Sequence, residues 1–167
     1  MQSRTAWSVV AGAAAGLLAG VVSGGLLGLV RMPTIEGVRQ PAMGLIAGAV
    51  HSARMPLAWS AYLLYATLIG AGFGGLLGRQ RVGLGSGVVW GVLYGAFWWI
   101  VSGLVVIPAL YEQAPLTPAA VDVIRNASLP WFAAMLLDGA VLGGAYVLFV
   151  HRRPPGVRED ARLARAA

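Results

Sequence analysis

The chain of 167 residues is 58% hydrophobic and only 11% charged, whereas a soluble domain of this size carries about a quarter charged residues. This composition excludes an ordinary soluble fold, and the length allows one compact unit. The net charge is +6, and every basic residue is Arg. Because these Arg residues flank apolar segments instead of alternating with aromatics in a basic patch, no nucleic-acid partner is expected. The chain has no Cys, which excludes disulfides, Cys-ligated zinc and thiol catalysis.

Four segments predict membrane-spanning helices, because each has the roughly 20 mostly apolar residues that a span requires. They cover residues 7–30, 57–77, 84–107 and 129–150. The sequence therefore predicts an all-α, polytopic membrane protein whose first partner is the lipid bilayer. Residues 1–155 are predicted to form a single transmembrane domain, and residues 156–167 a charged cytoplasmic tail.

The distribution of Arg predicts that both termini are cytoplasmic. With the N-terminus inside, about two thirds of the Arg residues fall on the cytoplasmic side, as the positive-inside rule requires. The short connection 78–83, which contains Arg79 and Arg81, is the clearest local signal.

Two outer connections, residues 31–56 and 108–128, are too long for plain turns. Each is predicted to contain a short helix, over residues 42–54 and 118–128. The second follows Thr117, whose hydroxyl suits an N-cap. Both helices are too short to cross the bilayer, and the sequence leaves open whether they are interfacial or re-entrant.

The two halves of the chain resemble each other at an offset of about 74 residues, 75 for the residues named below, which predicts an internal repeat. The repeat units cover residues 1–81 and 82–155, and each contains two spans, as in a parallel repeat. At this offset Gly12, Gly16, Gly20, Gly28 and Pro33 coincide with Gly87, Gly91, Gly95, Gly103 and Pro108.

Glycines recur at every fourth position of the predicted spans, and such faces allow close helix approach in lipid. They predict a Gly-rich, tightly packed four-helix bundle, with a specific dimer as the alternative. The packing glycines are Gly12, Gly16, Gly20 and Gly24 in the first helix, Gly87, Gly91 and Gly95 in the third, and Gly139 and Gly143 in the fourth.

An aromatic stripe of Trp90, Tyr94 and Trp98 follows the third helix. It is typical of packing or lipid contact, and a cofactor cleft is the alternative. No haem is expected, because no His lies inside a predicted span. His51 and His151 lie at opposite ends of the predicted topology, so no metal site is predicted. Since no catalytic triad, phosphate loop or metal spacing is present, we expect neither an enzyme nor a cofactor.

Asp138 is the one charged residue inside a predicted span. It lies about nine residues, or roughly 13 Å, from the outer end of the fourth helix, where a carboxylate costs about 2.5 to 3.5 kcal/mol. Ser23, Tyr65 and Ser102 are predicted at the same depth, and Tyr65 or Ser102 is expected to hydrogen-bond the carboxyl. These four residues form the candidate intramembrane polar site. It is either a proton or cation site or a neutral structural acid.

The stretch from Gly91 to Ile100, with the following Val105 to Pro108, resembles small bacterial inner-membrane proteins of the YagU-like type. In that group too, a Gly-rich aromatic helix ends in Pro, and a later helix carries Gly and an aromatic, here Gly143 and Tyr146. The resemblance covers about the last 110 residues and implies a bacterial inner membrane. It implies no catalytic residues, and Met135 stands near where such families often have His.

These observations favour a structural or accessory subunit that interacts with a larger complex, or with copies of itself, in the bacterial inner membrane. The alternative is a small oligomeric transporter or channel that uses Asp138 as its proton or cation site.

Overall fold

The computed structural model describes residues 2–29, 31–33, 39–49, 54–106, 109, 114, 116 and 122–152. Within these residues, four helices are long and apolar enough to cross a membrane, with apolar stretches of 21 to 25 residues. The helices are α1 Gln2–Leu29, α2 Ala42–Ala49, α3 Met55–Leu77, α4 Leu84–Val101 and α5 Asp122–His151, of which all but α2 are the long ones. The prediction of a helical chain with four helices that are long and apolar enough to cross a membrane is confirmed.

The first outer connection combines a small hairpin with a short helix. Strand β1, Arg31–Pro33, pairs antiparallel with β2, Arg39–Pro41, and α2 follows directly. The helix was predicted, but the hairpin was not, because three-residue strands are too short to show an alternating pattern. Met43 of α2 is buried against Leu27 of α1, so α2 packs on the bundle.

Helix α5 begins earlier than predicted. It runs without a break from Asp122 to His151, so the prediction of a separate short helix is wrong over residues 122–128. Pro130 lacks an N–H, but a membrane helix tolerates the loss of one backbone hydrogen bond, and the helix continues through it. The apolar part begins at Trp131, close to the predicted start at 129. Thr117, residues 118–121 and the predicted tail 156–167 lie outside the described residues.

Two helix pairs pack backbone against backbone, α1 with α3 and α4 with α5. A Cβ built at Gly16 would lie 2.8 Å from the Cα of Gly70, and one built at Gly91 would lie 2.9 Å from the Cα of Gly143. No side chain fits at these two positions, so glycine is required there. The other predicted packing glycines lie at the same two contacts: Gly12, Gly20 and Gly24 between α1 and α3, and Gly87, Gly95 and Gly139 between α4 and α5. We call these contacts the glycine seams.

Helices α3 and α4 meet differently, through large rings. Tyr65 contacts Trp98 with ring centroids 6.0 Å apart, and Phe73 contacts Tyr94 at 5.2 Å. The Tyr94 hydroxyl also donates a 3.1 Å hydrogen bond to the Ile69 carbonyl. We call this contact the aromatic seam. Trp90, from the same sequence stripe, is instead about half exposed on the outer face, where lipid surrounds a membrane protein.

A π-helical segment, Ser102–Val106, extends α4 at its C-terminal end. The wider turn changes the backbone hydrogen-bond pattern, and the Leu104 carbonyl accepts a 2.8 Å hydrogen bond from the N–H of Leu116. This bond fixes part of the second outer connection to the end of α4.

Candidate functional site

Three helices meet at the hydroxyl of Ser23. Its Oγ lies 2.6 Å from Oδ1 of Asp138 on α5, 2.8 Å from the hydroxyl of Tyr62 on α3, and 2.9 Å from the Ala19 carbonyl on its own helix. Ser23 is 1% exposed and Tyr62 is 5% exposed. Asp138 itself is half-buried, and one of its carboxyl oxygens is hydrogen-bonded to this buried hydroxyl.

Small residues on α1 create the space for this cluster. Ala15, Ala19 and Ser23 are buried one helical turn apart, and their size allows α5 to approach α1 closely. Gly24 has no side chain, and a Cβ there would lie 3.0 Å from the Tyr62 ring. The ring therefore passes across α1, and its hydroxyl reaches Ser23.

The number of available protons limits how these contacts are made. A serine hydroxyl donates one hydrogen bond and accepts two, and the Ala19 carbonyl can only accept. All three contacts are therefore hydrogen bonds at once when Tyr62 and Asp138 both donate to Ser23, which requires a protonated carboxyl. With an ionised carboxylate, Ser23 donates to Asp138 and its contact with Ala19 has no proton. The geometry thus suits a neutral acid, which also avoids the cost of a charge in the bilayer.

A small cavity adjoins Asp138 between α3, α4 and α5. It is lined on its polar side by Tyr62, Tyr65, Tyr94, Trp98 and Asp138, and it offers about 10 Å³ to the centre of a water molecule. That volume accommodates roughly one water. The Tyr65 hydroxyl and the Trp98 indole nitrogen are buried without a hydrogen-bond partner among the described residues.

The predicted polar residues take three different positions. Asp138 and Ser23 are in direct contact, while Tyr65 lines the adjoining cavity without a hydrogen bond to Asp138. Ser102 instead donates to the Trp98 carbonyl on its own helix. The expectation that Tyr65 or Ser102 bonds the carboxyl is therefore not met, since Ser23 takes that position.

Sequence reasoning missed Tyr62, which lies one helical turn before the buried Ala66. A signal was available, because Ala58, Tyr62, Ala66 and Gly70 recur at every fourth position and are all buried. The same spacing that indicated the glycine faces would have placed Tyr62 on the inner face of α3.

Among the residues that the structure describes, no group of three His, Cys, Asp or Glu side chains could hold a metal ion. The residues around Asp138 offer hydroxyls, one indole N–H and apolar groups, and the carboxyl is hydrogen-bonded to Ser23.

Comparison of the chain with models of protein families, with curated proteins and with solved structures finds no match.

Proposed function

We propose that the protein is a structural or accessory subunit of the bacterial inner membrane that packs on a larger complex or on copies of itself. The observation that carries this proposal is the small size of the polar site. Asp138 is half-buried and hydrogen-bonded to Ser23, and the adjoining space holds about one water, whereas pockets for small molecules measure roughly 300 to 1,000 Å³. The carboxyl therefore serves to join α5 to α1.

The proposal includes two repeated hairpins, residues 1–81 and 82–155, packed through their GxxxG faces. What supports the repeat is that equivalent residues make equivalent contacts. Gly16 lies against Gly70, and Gly91, about 75 residues further on, lies against Gly143. One hairpin thus repeats the packing of the other, as in a parallel duplication of two helices.

We also propose that both termini are cytoplasmic. Arg79 and Arg81 are exposed in the turn between α3 and α4, and Arg near a short loop favours the inner side. The resemblance to YagU-like proteins supports the bacterial inner membrane as the location.

Cysteine labelling tests this orientation, because the chain has no Cys of its own. In intact cells with a permeable outer membrane, a membrane-impermeant maleimide is expected to label Arg31→Cys. It should label Gln80→Cys only after the inner membrane is opened. The reverse pattern would overturn the orientation.

Affinity purification in mild detergent tests the accessory role. We expect a companion, either another protein or further copies of this chain, at a fixed ratio. The ratio should survive Asp138→Asn, because an amide can still donate to Ser23. A chain that always purifies as a lone monomer contradicts the role.

A second candidate is a small oligomeric transporter or channel with Asp138 as its proton site. The observation that favours it is the cavity, which places the carboxyl beside the unpartnered Tyr65 hydroxyl. Purified protein in liposomes with an internal pH dye separates the two functions. Proton flux that Asp138→Asn abolishes would establish transport, and flux equal to that of empty liposomes would leave the accessory role.

A further inference from the structure

We propose that the cavity between α3, α4 and α5 is a binding site for one water molecule, held by the Asp138 carboxyl and the Tyr65 hydroxyl. The site goes beyond the accessory role, since it requires neither a partner nor transport. It rests on the size of the cavity, on the polar groups that line it, and on the hydrogen bonds that those groups already make.

The size of the cavity admits one ligand of this kind. The volume open to a water centre is about 10 Å³, at the lower limit for a single water molecule. Apolar side chains close the remaining walls, among them Ile69, Met135 and Leu142.

The lining has unused hydrogen-bonding capacity at the right place. The buried Tyr65 hydroxyl makes no hydrogen bond of good geometry among the described residues, and Ser102, the hydroxyl that it approaches, donates its own proton to the Trp98 carbonyl. Ser23 contacts Oδ1 of Asp138, one of its two carboxyl oxygens. Tyr94 lines the same cavity, but its hydroxyl already donates to the Ile69 carbonyl. A buried water typically needs two to four polar partners, and Tyr65 and Asp138 supply two.

The walls of the cavity are mostly apolar, but the Tyr65 hydroxyl and the Asp138 carboxyl are among the groups that line it, whereas a wholly apolar cavity stays dry. An unpaired hydroxyl is costly wherever bulk water cannot reach it, and the bilayer excludes bulk water. A water that accepts from Tyr65 and bonds the Asp138 carboxyl removes that cost.

The bound water would lengthen the series of hydrogen-bonded groups around Asp138. Tyr62, Ser23 and Asp138 are already linked by hydrogen bonds, and the water adds Tyr65 at the end nearest α4. A role of this water in proton exchange with Asp138 rests on the second candidate function. The water site itself does not depend on that function.

Crystals grown from a lipid mesophase test the site with the full chain. In the wild type we expect one density peak within about 2.7 to 3.2 Å of both the Tyr65 hydroxyl and an Asp138 carboxyl oxygen. The peak should persist in Tyr94→Phe, the matched control, and disappear in Tyr65→Phe. Thermal unfolding of each variant in detergent shows that the fold is kept.

A dry cavity in the wild type, or an unchanged peak in Tyr65→Phe, would overturn the proposal. If Tyr65→Phe does not fold, Asp138→Asn provides the second variant, and the peak is expected to remain there because the amide also forms hydrogen bonds. Its loss in Asp138→Asn alone would assign the water to the ionised acid and refute the arrangement proposed here. None of these results depends on whether a companion co-purifies.

Discussion

The glycine seams and the aromatic seam bring neighbouring helices into contact in opposite ways. Across the α4–α5 seam the backbones touch, and a Cβ at Gly91 has no room. Across the α3–α4 seam the backbones stand apart, and rings such as Phe73 and Tyr94 fill the gap. Lipid gives no hydrophobic force between helices, so close van der Waals contact must drive association. The two seams differ in how they achieve it: backbone contact leaves no space, and ring packing leaves a cavity beside Asp138.

The largest effect is expected for Gly91→Leu, which attacks a glycine seam. Its Cβ would meet the backbone of α5, which cannot move aside as a flexible side chain can. We expect a loss of more than about 5 kcal/mol, so that little folded protein accumulates. Gly85→Leu on the same helix is the control, since its Cβ meets open space. Folded yield and thermal unfolding in detergent are measured for both variants. Equal stability of the two would refute backbone contact at this seam.

Removing a ring from the aromatic seam is expected to cost less. Phe73 is 2% exposed and also contacts Tyr146 at 5.4 Å, so Phe73→Ala leaves a cavity and should lose about 3 to 5 kcal/mol. Leu68→Ala, on the same helix but 63% exposed, should change stability far less. Chemical unfolding in mixed micelles gives both values. If the two substitutions cost the same, the aromatic seam contributes nothing specific.

The hydrogen bond between Ser23 and Asp138 is expected to contribute a smaller amount. A double-mutant cycle with Ser23→Ala and Asp138→Ala should give a coupling of about 0.6 to 1.7 kcal/mol, the range of interhelical hydrogen bonds in membranes. Asp138→Asn should retain most of this stability. Coupling near zero would mean that the contact does not hold α5 to α1.

Substitution on the outer face of α4 is expected to have the smallest effect. Only 22% of the α4 span is buried, and Leu93 is 55% exposed. Leu93→Ala should therefore change the unfolding free energy by less than about 0.5 kcal/mol. A larger loss, measured in the same unfolding assay, would place this face in a protein contact.

The sequence was sufficient to predict the four apolar helices. It was insufficient to predict where α5 begins and that a hairpin precedes α2. The spans were predicted because a run of apolar residues has one physical consequence in a bilayer, internal satisfaction of the backbone in a helix. The start of α5 at Asp122 was not predicted, because Pro130 indicates a helix end in water but is tolerated in a membrane helix. The β1–β2 hairpin was missed because its strands carry too few residues to form a pattern.

For the polar site, the depth of each residue along its helix was predictable, but the rotation of each helix about its own axis was not. Counting 1.5 Å per residue placed Ser23 and Tyr65 level with Asp138. Which of them touches the carboxyl depends on the neighbours and rotation of each helix in the bundle, and hydropathy does not encode these. Tyr65 therefore lines the cavity, while Ser23 makes the bond.

The hydrogen bond at Ser23 also has a consequence for biosynthesis. Ser23 and Tyr62 lie on α1 and α3, and Asp138 lies on α5, which is synthesised after both. The helix that carries the hydroxyl bonded to the acid, Ser23, therefore precedes the helix that carries the acid in the order of synthesis.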